Sequence, residues 1–407
     1  MGEKTSYVYD VNGRLTDIMY FNPGDPVNPV KTFNFGPFSK TFHYEHYHNG
    51  LKKRFVMPDN TGYDYTYDDA NQLVGVQISD VGAITVNSYN WNRPDSISLP
   101  GGSKQEYIYD PLMRIKSITD KDPAQNVLMQ YNYNYDKMDN ITAKATWQGI
   151  QNYTYDDLYR LSASDHPMDA DESFTYDSVG NRLTSADSAG TWSYNLNNEL
   201  QGFDTVSYDY DANGNMIQKT VGGVETKFFY NTEDRLSEVR DGSDNLIASY
   251  YYDPFGRRLW KEVSGVRTYF YYADEGLVAE LDASGNVTKS YGYKPGSIWT
   301  TDPLFMKIGT DYYFYQNDPL GTPQKLTAIN GAGVWAAKYS SFGEAGIDAA
   351  STITNNLRFP GQYYDQETSL HYNYHRYYDP GAGRYITPDP IGLNGGINVL
   401  GMPQIVL

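Results

Sequence analysis

The sequence predicts an all-β protein built from a strip of stacked β-hairpins. Three observations support this prediction: tyrosine supplies 41 of the 407 residues, a tyrosine-led motif recurs along the chain, and runs of alternating tyrosines precede it. Alternation with a period of two is typical of a strand with one packed face. Tyrosine carries a ring that packs and a hydroxyl that needs a partner. A chain so rich in tyrosine therefore favours thin, partly solvent-exposed sheets over one thick apolar core.

Each copy of the motif is a Tyr-Asp or Tyr-Asn pair followed six or seven residues later by an apolar residue. Between Tyr109 and Tyr252 successive copies start 16 to 26 residues apart. About twenty residues accommodate two short strands and two turns, whereas a propeller blade needs about forty. The copies begin at Tyr9, Tyr67, Tyr109, Tyr135, Tyr155, Tyr176, Tyr194, Tyr210, Tyr230 and Tyr252.

The residues after each tyrosine predict a tight turn between two antiparallel strands. The Asp or Asn can accept hydrogen bonds from turn amides. A glycine suited to positive φ follows in four copies, at Gly13, Gly180, Gly214 and Gly256. The next apolar residue begins the return strand, so the motif is interpreted as strand end, turn and strand start.

Residues 1–60 are predicted to hold one repeat followed by an irregular, proline-rich piece at Phe21–Pro29. The repeat strip is predicted over residues 61–345, with a break near its end at Pro295–Pro303. The small residues of Gly343–Ser351 predict one short helix. No independent linker is expected, because hairpins that contact their neighbours form one continuous body.

Composition argues against several functions. The formal net charge of −18 disfavours nucleic-acid binding, which needs clustered Lys and Arg. No apolar run approaches the roughly 18 residues of a membrane helix, so no membrane insertion is expected, and the first residues show no signal peptide. The chain has no cysteine, which excludes disulfides and cysteine-based sites.

Two downstream segments, together with the repeats, resemble the Rhs/YD-repeat family over roughly residues 60–398. Tyr315–Pro323 reads YQNDPLGTP and precedes the FGE of Phe342–Glu344. Arg358–Asn398 is similar, nearly residue for residue, to the repeat-associated core domain of that family. Residues 346–398 are accordingly expected to form a C-terminal core-domain segment, and residues 399–407 a divergent tail.

The resemblance implies a spiralling strip of hairpins that forms a shell, or part of one, around a C-terminal toxin. The expected function is therefore a non-catalytic encapsulation scaffold of bacterial origin, exported or on the cell surface. The expected partners are an enclosed toxin or effector polypeptide and further copies joined through strand edges. The alternative is a surface adhesion or carbohydrate-binding module that uses outward tyrosines.

The resemblance also implies an aspartyl autoprotease in the core domain, with Asp389 of the Pro388–Gly392 stretch as one catalytic carboxylate. Arg384 is the basic neighbour expected beside it. In such a dyad one carboxyl acts as the acid while the other activates water. The second DPxG expected downstream does not occur before Leu407, so Asp389 lacks its partner and self-cleavage is the disfavoured alternative.

No cofactor or metal is expected. Asp209–Asn215 imitates the first half of a calcium loop, but Thr220 stands where the terminal Glu belongs, so a hairpin turn is favoured. His46 and His48 are predicted to share one strand face, as are His371 and His375. Each pair lacks evident further zinc ligands, and a structural role is favoured.

Overall fold

The computed structural model describes residues 4–9, 14–21, 40–253 and 255–401. These residues form 36 β-strands and two short 3-10 turns, at Pro100–Gly102 and Gly392–Gly395. The strands make two 16-stranded sheets and one four-stranded sheet, all antiparallel and all in sequence order. Among the described residues no helix is long or apolar enough to cross a membrane. The predicted all-β strip of hairpins is confirmed.

The strands of the first sheet are short and follow one another without a crossover. They are β1 (Lys4–Tyr9), β2 (Leu15–Phe21), β3 (Lys40–His46), β4 (Lys52–Val56), β5 (Gly62–Tyr67), β6 (Leu73–Ile78), β7 (Gly82–Asn90), β8 (Arg93–Ser98), β9 (Lys104–Tyr109), β10 (Ile115–Lys121), β11 (Val127–Tyr135), β12 (Ile141–Thr146), β13 (Gly149–Tyr155), β14 (Leu161–Asp165), β15 (Glu172–Tyr176) and β16 (Arg182–Ser185).

The second sheet repeats this arrangement, and the third closes the chain. The second contains β17 (Ser193–Tyr194), β18 (Leu200–Phe203), β19 (Val206–Tyr210), β20 (Met216–Val221), β21 (Val224–Tyr230), β22 (Leu236–Asp241), β23 (Leu246–Tyr252), β24 (Arg258–Val263), β25 (Val266–Ala273), β26 (Gly276–Leu281), β27 (Val287–Gly292), β28 (Phe305–Ile308), β29 (Asp311–Asn317), β30 (Pro323–Ala328), β31 (Gly333–Tyr339) and β32 (Ala345–Ile347). The third contains β33 (Tyr363–Asp365), β34 (Leu370–Asn373), β35 (Arg376–Asp379) and β36 (Arg384–Tyr385).

In the copies from Tyr67 to Tyr252, the turn after the repeat tyrosine is closed by the following Asp or Asn, as predicted. In one copy Asp136 Oδ1 accepts hydrogen bonds from the amides of Met138 and Asn140, at 2.8 and 3.0 Å. Asp136 Oδ2 accepts a third bond, from Asn140 Nδ2 at 2.8 Å. The third residue after Asp136 is Asp139, with φ 69°, and the glycines Gly180, Gly214 and Gly256 occupy the same turn position in other copies. Gly13 lies outside the described residues.

In most of the described copies the repeat tyrosine joins its hairpin to the one before it. The Tyr155 hydroxyl donates to the carbonyl oxygen of Ile141, the first residue of β12, at 2.7 Å. The same bond recurs along the strip, so the tyrosines form a ladder that satisfies a carbonyl at the start of most return strands. Its members are Tyr67 to Lys52, Tyr89 to Leu73, Tyr109 to Pro94, Tyr135 to Ile115, Tyr155 to Ile141, Tyr176 to Leu161, Tyr194 to Arg182, Tyr230 to Met216, Tyr252 to Leu236, Tyr272 to Arg258 and Tyr339 to Pro323.

Replacing one rung of this ladder, Tyr155→Phe, is expected to lower the free energy of unfolding by about 1 kcal/mol. The ring stays in place, but the Ile141 carbonyl loses its donor. Tyr159→Phe is the matched control, because Tyr159 is 46% exposed at a turn. Urea denaturation measures both variants. Equal unfolding midpoints for the two would show that the ladder bond contributes nothing.

The two large sheets lie against each other as successive windings of a spiral. Side chains along the first sheet meet the second sheet in the same chain order, so the second winding follows the first in direction. The contacts between windings, in that order, are Lys52–Glu275 at 2.6 Å, Asp59–Lys307 at 2.9 Å, Gln105–Tyr315 at 3.0 Å, Leu128–Lys325 at 2.7 Å and Glu172–Ser341 at 2.6 Å.

Aromatic rings fill the space between the windings. Tyr63 meets Phe305 edge to face at 5.4 Å, and Phe42 meets Tyr271 at 6.0 Å. At Gly101, with φ 85°, a Cβ atom would lie 1.8 Å from the carbonyl oxygen of Ile329 on the opposite winding. Only glycine allows that approach, so the Pro100–Gly102 turn is also a contact between windings.

One local expectation is wrong, and another holds for the strand pattern but not for the sheet. The residues Gly343–Ser351 form no helix, because β32 within them pairs antiparallel with β31, where Ala337 faces Ile347. The irregular piece Pro295–Pro303 interrupts the strand pattern but not the sheet, since β27 and β28 still pair across it. The interruption between the two large sheets lies instead at residues 186–192, between β16 and β17.

Candidate functional site

The C-terminal sheet, β33–β36, packs on the hairpins of the second winding. Lys219 Nζ of β20 lies 2.6 Å from Asp379 Oδ2 at the end of β35. The hydroxyls of Tyr252 and Tyr377 are 2.9 Å apart in the same interface. Hydrogen-bonded and charged pairs therefore join this segment to the strip over its length.

The centre of this interface is a fully buried ion pair between Arg258 and Asp365, both 0% exposed. Lys261 Nζ adds contacts to Asp365 Oδ1 at 2.9 Å and to Glu367 Oε2 at 3.0 Å. Burial alone would raise the pKa of Asp365, but the charges of Arg258 and Lys261 hold it below its usual range. The carboxylate is therefore ionised, and it neutralises an arginine that has no access to water.

Asp389 lies in the loop after β36. Its Oδ1 accepts a hydrogen bond from the Ile391 amide at 3.1 Å, and its own amide donates to the Val399 carbonyl at 2.9 Å. Its Oδ2 lies 2.8 Å from Arg376 Nη2. The basic partner of Asp389 is thus Arg376 of β35, a residue that no motif in the sequence indicated.

Arg384, the basic neighbour expected for Asp389, makes other contacts. Its Nη2 donates to the Asn198 carbonyl at 2.6 Å, and its guanidinium lies over the Tyr194 ring, 5.2 Å from the centroid. It forms no ion pair with Asp389 among the described residues. The strand that carries Arg384 turns its side chain toward β17 and β18, so Arg384 is a neighbour of Asp389 across a shared cavity and not its ion-pair partner.

Arg384 and Asp389 nevertheless line one cavity of about 370 Å³. Its walls come from the turns after Tyr155 and Tyr176, from Tyr194 and Phe342, and from the chain between Ala382 and Gly401. Within the described ranges, Asp389 is the one carboxylate that lines it. A two-carboxylate acid–base pair is therefore not assembled there by the residues the structure describes.

The calcium-like stretch Asp209–Asn215 is a hairpin turn, as favoured. Asp211 Oδ1 accepts the amides of Asn213 and Asn215, each at 2.9 Å. Both carboxylate oxygens of Asp211 therefore accept hydrogen bonds from within the turn. Across the part of the chain that the structure describes, no three His, Cys, Asp or Glu side chains gather at a metal-binding distance.

The two histidine pairs do not share strand faces. β3 ends at His46, and His48 lies in the turn that follows; β34 ends before His375, which lies in the turn to β35. His371 is buried, its Nδ1 lies 2.6 Å from Gln362 Oε1, and burial lowers its pKa to about 3. His371 is therefore neutral and structural, as favoured.

The buried pair Arg258–Asp365 was not predicted from the sequence, although the sequence carries one signal for it. In the copy that begins at Tyr252, two arginines precede the apolar residue. The first, Arg257, bonds Asp253 within the turn at 2.7 Å, as Arg114 does with Asp110 in an earlier copy. The second, Arg258, stacks on Tyr250 of the same hairpin at 5.5 Å but has no carboxylate partner among the described residues of that hairpin, which left an acid from another segment as one candidate.

The geometry agrees with comparisons to known proteins. A family profile described as the Teneurin YD-shell matches residues 102–394. The chain belongs to this family. It is a shell-type YD-repeat scaffold, and the family resemblance predicted from the repeats is confirmed.

Relatives of this YD-shell chain include bacterial toxins. The double-stranded DNA deaminase toxin A of Burkholderia cenocepacia is 33% identical over 305 residues, which cover 66% of this chain and 21% of the toxin. The tRNA nuclease WapA of Bacillus subtilis is 28% identical over 361 residues, covering 86% of this chain and 14% of the nuclease.

Solved structures show the same fold. The Tc holotoxin pore of Photorhabdus luminescens superposes with a TM-score of 0.78 at 17% identity, covering 99% of this chain and 23% of that chain. The TcdB2-TccC3 complex superposes with a TM-score of 0.77 at 18% identity, and the match covers 98% of this chain and 23% of that chain. This chain thus spans less than a quarter of the length of each of these proteins.

Proposed function

We propose that this YD-shell chain forms part of the wall of a shell that keeps an effector polypeptide away from its surroundings. The observation that supports the proposal is the spiral itself: the second winding lies on the first in the same order, from Lys52–Glu275 to Glu172–Ser341. Strand-to-strand hydrogen bonds and the tyrosine ladder leave few open main-chain groups in such a wall. The relatives that share this domain are toxins several times longer.

The proposal is tested by fusing a small protease-sensitive reporter after Leu407 of the full chain. We expect a protease to cleave the reporter more slowly in the fusion than when it is free. The matched control carries the same reporter ahead of Met1 and is expected to be cleaved at the free rate. Cleavage of the C-terminal reporter at the free rate would refute shielding by this chain.

We further propose that this chain does not cut itself. Asp389 is neutralised by Arg376 at 2.8 Å and is the single carboxylate among the described residues that line its cavity. The purified chain and its Asp389→Asn variant are therefore expected to migrate as the same intact band after prolonged incubation. A fragment formed by the unchanged chain and not by the variant would instead establish the autoprotease.

A further inference from the structure

The 370 Å³ cavity that Asp389 borders has an unusual charge balance. Three arginines line it, Arg160, Arg182 and Arg384, against the single carboxylate of Asp389. Arg160 is already paired with Asp156 at 2.7 Å, and Asp389 with Arg376 at 2.8 Å. The guanidinium groups of Arg182 and Arg384 therefore line the cavity without a carboxylate partner among the described residues.

Arg182 is 7% exposed and has no carboxylate within ion-pair distance among the described residues. Its Nη2 donates to the Gly381 carbonyl at 2.9 Å, and its guanidinium stacks on Trp192, 4.0 Å from the ring centroid. Its Nε has no hydrogen-bond acceptor among the residues that the structure describes. Burial lowers the pKa of Arg182, and the nearby carboxylate of Asp379 is already engaged by Lys219 at 2.6 Å.

Arg384 repeats this pattern. It is 6% exposed, one nitrogen donates to the Asn198 carbonyl at 2.6 Å, and its Nε has no partner in the described chain. Burying an arginine without a counter-charge is costly, and so is leaving a buried N–H without an acceptor. An anion at this wall would supply the counter-charge that both arginines lack.

The remaining walls indicate which anion would fit. Leu158, Leu161, Phe342, Ile397 and Val399 give the cavity an apolar lining. Ligand cavities of this size combine such walls with a few polar groups that set orientation. Guanidinium groups bind carboxylates with charge-assisted hydrogen bonds, and an apolar lining favours an organic acid over a strongly hydrated phosphate.

We propose that this cavity is a binding site for a carboxylate that carries an apolar side group, held by Arg182 and Arg384. Two sources share this chemistry: a small organic acid and the C-terminal carboxylate of a polypeptide. The site stands apart from both proposals above, because it needs neither an enclosed guest nor a reactive Asp389.

The test uses the full chain and compares N-acetyl-leucine with its uncharged amide by calorimetry. We expect the acid to bind and the amide not to bind. Ac-Ala-Ala-Leu with a free carboxylate separates the two sources: tighter binding than N-acetyl-leucine indicates a polypeptide end, and equal or weaker binding indicates a small acid. Equal affinity for acid and amide, or tighter binding of inorganic phosphate, would overturn the proposal.

Arg182→Met and Arg384→Met are each expected to weaken binding of the acid by about tenfold or more. Arg93→Met is the matched control, because Arg93 is exposed and lies outside the cavity. Unchanged affinity in both cavity variants would refute the assignment. If a variant does not fold, the comparison of acid with amide on the unchanged chain still decides.

Discussion

Replacing Asp365 with asparagine is expected to lower the free energy of unfolding by about 3–5 kcal/mol, the typical cost of breaking a buried ion pair. Arg258 would keep its charge at 0% exposure and lose the carboxylate that neutralises it. Its Nε and Nη2 already have no partner among the described residues. Guanidinium chloride denaturation measures the loss, and a change below about 1 kcal/mol would contradict it.

Two further variants separate the pair from the surface charges. Asp244→Asn removes an exposed partner of Lys227, 2.8 Å away, and is expected to cost at most about 1 kcal/mol. Replacing both buried partners, Arg258→Met with Asp365→Leu, is expected to recover much of the loss, because no uncompensated charge remains. Lys261 would retain Glu367 at 3.0 Å in that double variant.

Asp120 is expected to make the protein less stable as the pH rises. This carboxyl on β10 is 1% exposed, and neither oxygen has a partner among the described residues. Burial raises its pKa to about 8 in the folded chain, against about 3.9 in an unfolded one. Because the folded chain holds the proton more tightly, protonated Asp120 contributes to the free energy of unfolding. That contribution is complete below about pH 4 and is lost as the pH rises through about 8.

The Asp120→Asn variant removes that dependence. We expect the difference in free energy of unfolding, variant minus unchanged chain, to increase by several kcal/mol between about pH 5 and about pH 9. Asp157→Asn, at an exposed turn position, is the control and should track the unchanged chain. Denaturation at both pH values measures this, and parallel curves for Asp120→Asn and the unchanged chain would contradict the buried neutral carboxyl.

Sequence reasoning reached the hairpin because the interactions that make it are local. Asp136 closes its turn with amides two and four residues ahead, and such contacts follow from residue type and spacing. The same reasoning erred at Gly343–Ser351, where small residues are compatible with a helix. The free strand edge of β31 captured that segment instead, through Ala337 and Ile347.

The sequence by itself determined the repeating hairpin unit and the family of this YD-shell chain. Only the tertiary structure decided which distant side chains meet: Arg376 rather than Arg384 beside Asp389, Arg258 against Asp365, and two arginines at one cavity with no carboxylate partner among the described residues. The physical reason is distance along the chain. Arg258 and Asp365 are more than a hundred positions apart. Their contact therefore depends on how the C-terminal sheet packs on the second winding. No local pattern encodes that superposition.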